Sequence, residues 1–263
     1  MKHDHGLEPY LPWVRRGTLI TVLLGLPLLL FLSSPSSAQE ERRPTNLKIL
    51  PKTISHDSLI AIMSKFTVAL GAGCDYCHAR SGAGPEMDFA SDAKKTKQAA
   101  RDMLKMVGKI NDTYLAELPT TQEPRVNVEC FTCHRGQPRP ILLQDVLKLA
   151  LEKHGINAAD STYRDLRARY YGSGTFDFSD DVLAFFALDV ARQNTADAKD
   201  ILKLNGEFNP RSAVNEWAAG RLYIQQGDTA KAVAAYKRAL EIDPNYRRAT
   251  RELQMLPGGG RKD

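Results

Sequence analysis

Cys74-Asp75-Tyr76-Cys77-His78 and Cys130-Phe131-Thr132-Cys133-His134 repeat one Cys-x-x-Cys-His pattern at two places in this chain. That pattern marks the attachment of a c-type haem. Two thiols two residues apart suit thioether bonds to both vinyl groups of one porphyrin. The histidine that follows is then held against one face of the ring, where its imidazole can ligate iron. The two copies use all four cysteines, so none is left for a disulfide or a separate zinc site. One shared four-cysteine zinc site needs no histidine after each pair, and 52 residues between Cys77 and Cys130 are long for a compact zinc ribbon. A redox dithiol usually sits between a strand and a helix, and no βαβ pattern flanks either pair. Two covalently attached haem c groups are therefore expected. Cys74, Cys77, Cys130 and Cys133 would anchor the porphyrins, with His78 and His134 as iron ligands.

The N-terminus agrees with that chemistry, because covalent haem attachment occurs outside the bacterial cytoplasm. Residues 1–38 read as a secretory signal: Arg15 and Arg16 are a basic start, Thr18 to Leu32 an apolar run of 15 residues, and Ser36-Ser37-Ala38 a small-residue cleavage site. The run is short against the roughly 20 residues of a membrane span. An uncleaved anchor, with the two arginines on the cytoplasmic side, is the alternative. A periplasmic, exported protein is expected, with membrane anchoring through the N-terminal segment as the variant.

Composition sets bounds only. The 263 residues, 43% hydrophobic and 25% charged, are those of an ordinary globular protein. Without residues 1–38 the net charge falls from +5 to +4, since Lys2, Arg15 and Arg16 leave with Asp4 and Glu8. That excess gives no reason to expect nucleic-acid binding.

The sixth iron ligand decides between an electron carrier and an open, reactive iron. Methionine opposite histidine raises the reduction potential, and Met63, Met87, Met103 and Met106 are the candidates. Met63 lies on an amphipathic helix from about Asp57 to Leu70, where Leu59, Ile62, Met63, Phe66 and Leu70 recur at helical spacing and Gly71 stops the helix. Gly71-Ala72-Gly73 leads straight into Cys74, so Met63 can face the first iron; ordinary core packing is the other use of such a methionine. A second helix is expected from Ser91, as N-cap, to about Leu118, with Met103 and Met106 both on its apolar side. Periodicity does not choose between them. Met87 lies in a Gly/Pro-containing loop. Bis-histidine ligation would have to use His56 or His154, which read as surface or capping residues. Arg135, beside His134, is either an exposed arginine or a partner for a propionate.

Residues 46–140 resemble half of the tetrahaem cytochrome subunit of photosynthetic reaction centres. The resemblance runs through Asn46-Leu47-Lys48-Ile49-Leu50, the Met63 helix, Ala69-Leu70-Gly71 and the first pentapeptide. It continues in Asp88-Phe89-Ala90-Ser91-Asp92, Ala100-Arg101-Asp102-Met103-Leu104-Lys105-Met106-Val107, Ile110-Asn111 and Tyr114-Leu115, and closes on Cys130-Phe131-Thr132-Cys133-His134-Arg135-Gly136. It implies helix-borne axial methionines: Met63 opposite His78, and Met106 opposite His134, with Met103 in reserve. It also implies electron transfer between redox partner proteins, membrane-bound ones included. The family has four haems whereas this chain has two pentapeptides, so photosynthesis itself does not follow.

From Ile141 onward there is no cysteine, and helices are expected at about Leu142–Lys153, Ser161–Tyr170, Asp181–Gln193, Ala196–Leu204, Ala213–Gln226, Thr229–Glu241 and Tyr246–Met255. A 34-residue self-match aligns Asn194–Ala198 with Asp228–Ala232 and Phe208-Asn209-Pro210 with Ile242-Asp243-Pro244. That is the tetratricopeptide period. The second copy resembles that family through Gly220, Tyr223, Ala232, Tyr236, Ala239 and Pro244. In the first copy, Leu202 and Asn205 replace the aromatic and the alanine. The repeats suggest a docking surface for another protein, or else a structural cap on the haem domain.

The expected protein is mainly α: a dihaem c-type cytochrome domain over 45–140, then an α-helical, tetratricopeptide-like repeat domain over 141–256. It is expected to be an electron-transfer protein and not an enzyme. The alternatives are a dihaem peroxidase-like enzyme with an open haem iron, and an interaction protein in which the repeats hold the main role.

Overall fold

Apolar periodicity and a glycine stop produce the first element of the computed structural model, which describes residues 44–119 and 124–256. Helix α1 (His56–Leu70) starts where the Ser55 side chain accepts from the Ser58 N–H at 3.2 Å, and ends on Gly71 in the left-handed region (φ 59°). The secretory signal expected over residues 1–38 lies outside the described residues. The described residues fall in one compact unit. No helix among the described residues is long and apolar enough to cross a membrane.

After α1 come a single 3-10 turn, Cys74–Tyr76, and a two-stranded antiparallel hairpin, β1 (Ala79–Arg80) with β2 (Met87–Asp88), pairing Ala79 with Asp88 and Arg80 with Met87. Helix α2 (Lys95–Lys109) runs on into a π-helical turn, Ile110–Leu115. Ser91 is not its N-cap, contrary to expectation. Asp92 is instead held by Lys48 (2.7 Å) and Arg101 (2.8 Å), while the Lys97 ammonium donates to the carbonyls of Phe89, Ala90 and Ser91 at 2.8–3.1 Å. Those bonds hold residues 89–92 out of the helix, so it begins only at Lys95. The second pentapeptide is itself a short helix, α3 (Cys130–His134), closed at its start by Glu129 N–H donating to Thr132 Oγ1 at 3.0 Å.

The rest is helical hairpins: α4 (Leu143–His154) with α5 (Ile156–Tyr170), α6 (Asp180–Val190) with α7 (Thr195–Phe208), and α8 (Ala213–Gln225) with α9 (Thr229–Ile242), followed by α10 (Arg247–Met255). Helix α5 begins five residues earlier than its periodicity suggests, because Gly155 (φ 82°) reverses the chain in one residue after α4. The 34-residue self-match becomes the two successive hairpins α6–α7 and α8–α9. Asn205, at the alanine position of the first copy, is fully buried. It donates to the Asp180 carbonyl and to Asn215 Oδ1 (2.9 and 3.0 Å) and accepts from Asn209 (2.9 Å), so the polar replacement is hydrogen-bonded. The Gly- and Ser-rich stretch after Tyr170 is a packed loop: Phe176 and Phe178 enter the core against Tyr170 and Tyr163.

Among the described residues the main core lies in this second half. Every member of the main buried cluster falls between Leu143 and Leu253. Before residue 141, Ala69 is the sole buried apolar side chain among the described residues.

Candidate haem centres

The first pentapeptide folds as one tight turn, with the His78 N–H donating to the Cys74 carbonyl at 2.9 Å. That turn carries Cys77 and His78 into half-buried positions and leaves Cys74 exposed. Two side chains from the start of α2 pin the residues between the cysteines: Lys94 Nζ donates to the Asp75 carbonyl, and Thr96 Oγ1 to the Tyr76 carbonyl at 2.5 Å. Phe89 meets the His78 ring edge-on, with centroids 5.1 Å apart. Burial foremost, then Lys97, lowers the His78 pKa, with the Phe89 backbone opposing. The imidazole is thus biased toward the neutral form that a metal ligand needs.

In α3, His134 Nδ1 lies 2.8 Å from the Gln137 carbonyl. A carbonyl only accepts, so Nδ1 carries a proton and Nε2 is the nitrogen left to face a metal. This is the usual outer contact of a metal-binding histidine. Arg135 in the left-handed region (φ 49°) and Gly136 (φ 83°) then turn the chain away. The Gly136 N–H donates to the Ala69 carbonyl at 2.9 Å, so the turn after the second pentapeptide sits on the last turn of α1. A Cβ on Gly71 would overlap the Gly136 carbonyl, which explains glycine there beyond its role as a helix stop. From the other side, Asn111 in the π-helical turn donates to the Val128 carbonyl (2.9 Å) and accepts from the Val128 N–H (2.8 Å), two residues before Cys130.

All four cysteines are unpaired. Among the described residues no three His, Cys, Asp or Glu side chains converge as a metal site, so the two pairs do not form one tetrahedral zinc centre. Burial pushes the Cys77 and Cys130 thiols up from their ordinary pKa, the reverse of an activated redox dithiol. The candidate sixth ligands differ in setting. Met63 is half-buried on α1, Met87 half-buried in β2, and Met103 and Met106 are 44% and 45% exposed on α2, so exposure does not separate those two. His56 is exposed at the start of α1 and His154 exposed at the end of α4.

Haem fits these residues. Each thiol pair is followed at once by a histidine, one histidine has its outer nitrogen bonded and the other its outer nitrogen buried without a partner. The same half leaves the apolar side chains of Val68, Phe89, Met103, Met106, Tyr114 and Phe131 exposed, as is expected of side chains that pack against a porphyrin. Periodicity missed Phe89, Lys97 and Asn111, whose roles are contacts with carbonyls and rings that no sequence pattern announces.

Asp92 locks the front of this half. Lys48 foremost, then Arg101 and Asn46 against an opposing burial, hold its carboxyl well below the ordinary carboxylate range. A depressed folded pKa contributes stability above the unfolded value of ~3.9, lost as pH falls toward the folded one. Asp92→Asn is therefore expected to lower the melting temperature by a few degrees at neutral pH. The gap to the unaltered chain should narrow below about pH 4, which paired thermal melts across pH would test.

A family model described as the photosynthetic reaction centre cytochrome C subunit matches residues 33–168, and a TPR repeat model matches residues 220–251. Cytochrome c-554 of Chloroflexus aurantiacus is 41% identical over 70 residues, covering 27% of this chain and 15% of that protein. The photosynthetic reaction center cytochrome c subunit of Rubrivivax gelatinosus is 37% identical over 73 residues, covering 28% and 17%. That of Roseobacter denitrificans is 34% identical over 89 residues, covering 33% and 23%. The chain thus spans less than a quarter of the length of these relatives. No solved structure matches it.

Proposed function

The chain belongs to the photosynthetic reaction centre cytochrome c subunit family, and from that membership we propose that it is an exported dihaem c-type cytochrome passing single electrons between protein partners. What carries the proposal is the pair of Cys-x-x-Cys-His turns, each fixed to the same framework of α1 and α2. Haem iron supplies one-electron oxidation and reduction when bound. The residues supply attachment, orientation and exclusion of water. Cys74 with Cys77, and Cys130 with Cys133, hold one porphyrin each by thioether bonds. His78 and His134 ligate iron through Nε2, and for His134 the bond from Nδ1 to the Gln137 carbonyl fixes tautomer and ring orientation. Met63 would supply a sulfur ligand to the His78-bound iron and Met106 one to the His134-bound iron. Sulfur ligands of this kind would leave the irons no open position for substrate, which suits a carrier and not an enzyme. The repeats over α6–α9 offer a docking face for a redox partner, and neither the donor nor the acceptor need be photosynthetic.

Visible spectra of the matured chain in both oxidation states test this. The expected result is two haems per chain, both low-spin, with the weak sulfur-to-iron band of histidine–methionine ligation. Met63→Ala should keep both haems, turn one high-spin and cyanide-binding, and lower its potential. Met106→Ala should do the same at the other iron, and Met103→Ala should do neither. A high-spin, cyanide-binding iron in the unaltered chain would instead favour a peroxidase-like enzyme.

A further inference from the structure

The two pentapeptides are tied to the same two helices, and Asn111 supplies one of the attachments. The first pentapeptide is joined to α1 by only Gly71-Ala72-Gly73 and is pinned to the start of α2 by Lys94 and Thr96. The second is clasped to α1 through the Ala69–Gly136 backbone bond and to the far end of α2 through Asn111 and Val128. With 15 residues, α2 is a rod of roughly 22 Å, holding one pentapeptide at each end. The π-helical turn that carries Asn111 is a costly departure from the α-helix, and such turns recur at functional sites.

We infer that Asn111 is a positioning residue: together with the Ala69–Gly136 clasp, it holds the two haem-bearing turns in one fixed relation, so that they act as a single electronic pair. The inference rests on the dihaem proposal above. Removing the carboxamide frees the backbone at Val128, two residues before Cys130, without touching any ligand. A supporting shell of this kind is what holds a site within a few tenths of an ångström.

Circular dichroism in the strongest haem absorption band tests it. Two neighbouring chromophores held in a fixed relation give a paired positive and negative signal, set by their separation and mutual orientation. The haem-loaded full chain should show that pair, and a Cys130→Ala/Cys133→Ala chain should lose it. Asn111→Ala should keep two haems per chain yet lose at least half the paired amplitude. Asn111→Asp, which keeps the acceptor for the Val128 N–H but loses the donor, should fall between, and it decides the matter if Asn111→Ala does not mature. A paired signal unchanged in the Asn111 variants overturns the inference. So does a native chain with two haems and no paired signal, which leaves the dihaem proposal standing. Fewer than two haems in the native chain overturns both.

Discussion

Changing Cys130 and Cys133 together to alanine is expected to leave one covalent haem per chain in place of two, and changing Cys74 and Cys77 together should do the same at the other turn. The two losses should be independent. Each pentapeptide supplies its own thiols and its own histidine, and the four cysteines do not converge on one centre among the described residues. A shared zinc site would behave otherwise: loss of either pair would release the same single metal. Both variants should keep most of their helix, because the main buried cluster runs from Leu143 to Leu253 and contains nothing from either turn. The local cost should be larger for Cys130 and Cys133. Their turn is clasped to α1 through Gly136 and Ala69, and a Cβ on Gly136 would lie 3.6 Å from Thr175 Oγ1 in the loop after α5. Intact mass with a haem stain of the separated chains counts the haems directly, and far-ultraviolet circular dichroism reports the helices. Retention of two haems in either double variant would remove the attachment roles given to these cysteines.

How much of this was legible in the sequence depends on the range over which each feature is decided. The pentapeptides were plain because their chemistry is complete within five residues. Helix α1 was equally plain, since its apolar spacing and Gly71 stop are local. The start of α2 was misplaced because Ser91 looks like an N-cap, whereas Lys48 from outside the segment and Arg101 from within α2 itself claim its neighbour Asp92. The resemblance quoted Asn46, Lys48, Asp92, Arg101 and Asn111 without giving them a role. In the structure the first four form one ion-pair and hydrogen-bond cluster, and Asn111 holds Val128 across 17 residues. The loop after Tyr170 is rich in glycine and serine, yet Phe176 and Phe178 make it part of the core. The π-helical turn keeps the polar and apolar alternation of the helix before it, so periodicity passes through it unmarked. The mainly α architecture came through because three hairpins of strong helical period outweigh such local misplacements.

Gly220→Ala is expected to destabilise the repeat half, although alanine is the better helix former by about 1 kcal/mol. A Cβ on Gly220 would lie 2.6 and 2.9 Å from Cδ1 and Cζ of Tyr236, and closer still to Cε1. The Tyr236 ring has nowhere to go: it is fully buried, and burial pushes its phenol up to about 12. Overpacking of this kind costs about 1–3 kcal/mol, which in a chain of this size lowers the melting temperature by about 2–4 °C per kcal/mol. The other copy of the repeat supplies the remedy. Thirty-four residues before Gly220 and Tyr236 stand Phe186 and Leu202, both buried. The bulk thus sits on the first helix of one hairpin and on the second helix of the next. Tyr236→Leu alone should also destabilise, by opening a cavity, although it removes a buried hydroxyl that has no hydrogen-bond partner. Gly220→Ala with Tyr236→Leu should recover most of the loss, because the added methyl takes space the ring has left. Denaturant melts of the two single variants and the double variant close the cycle, and a coupling of about 1 kcal/mol or more in favour of the pair is expected for residues in direct contact. Additive losses would mean that the close fit of Gly220 against Tyr236 does not set the stability of this hairpin.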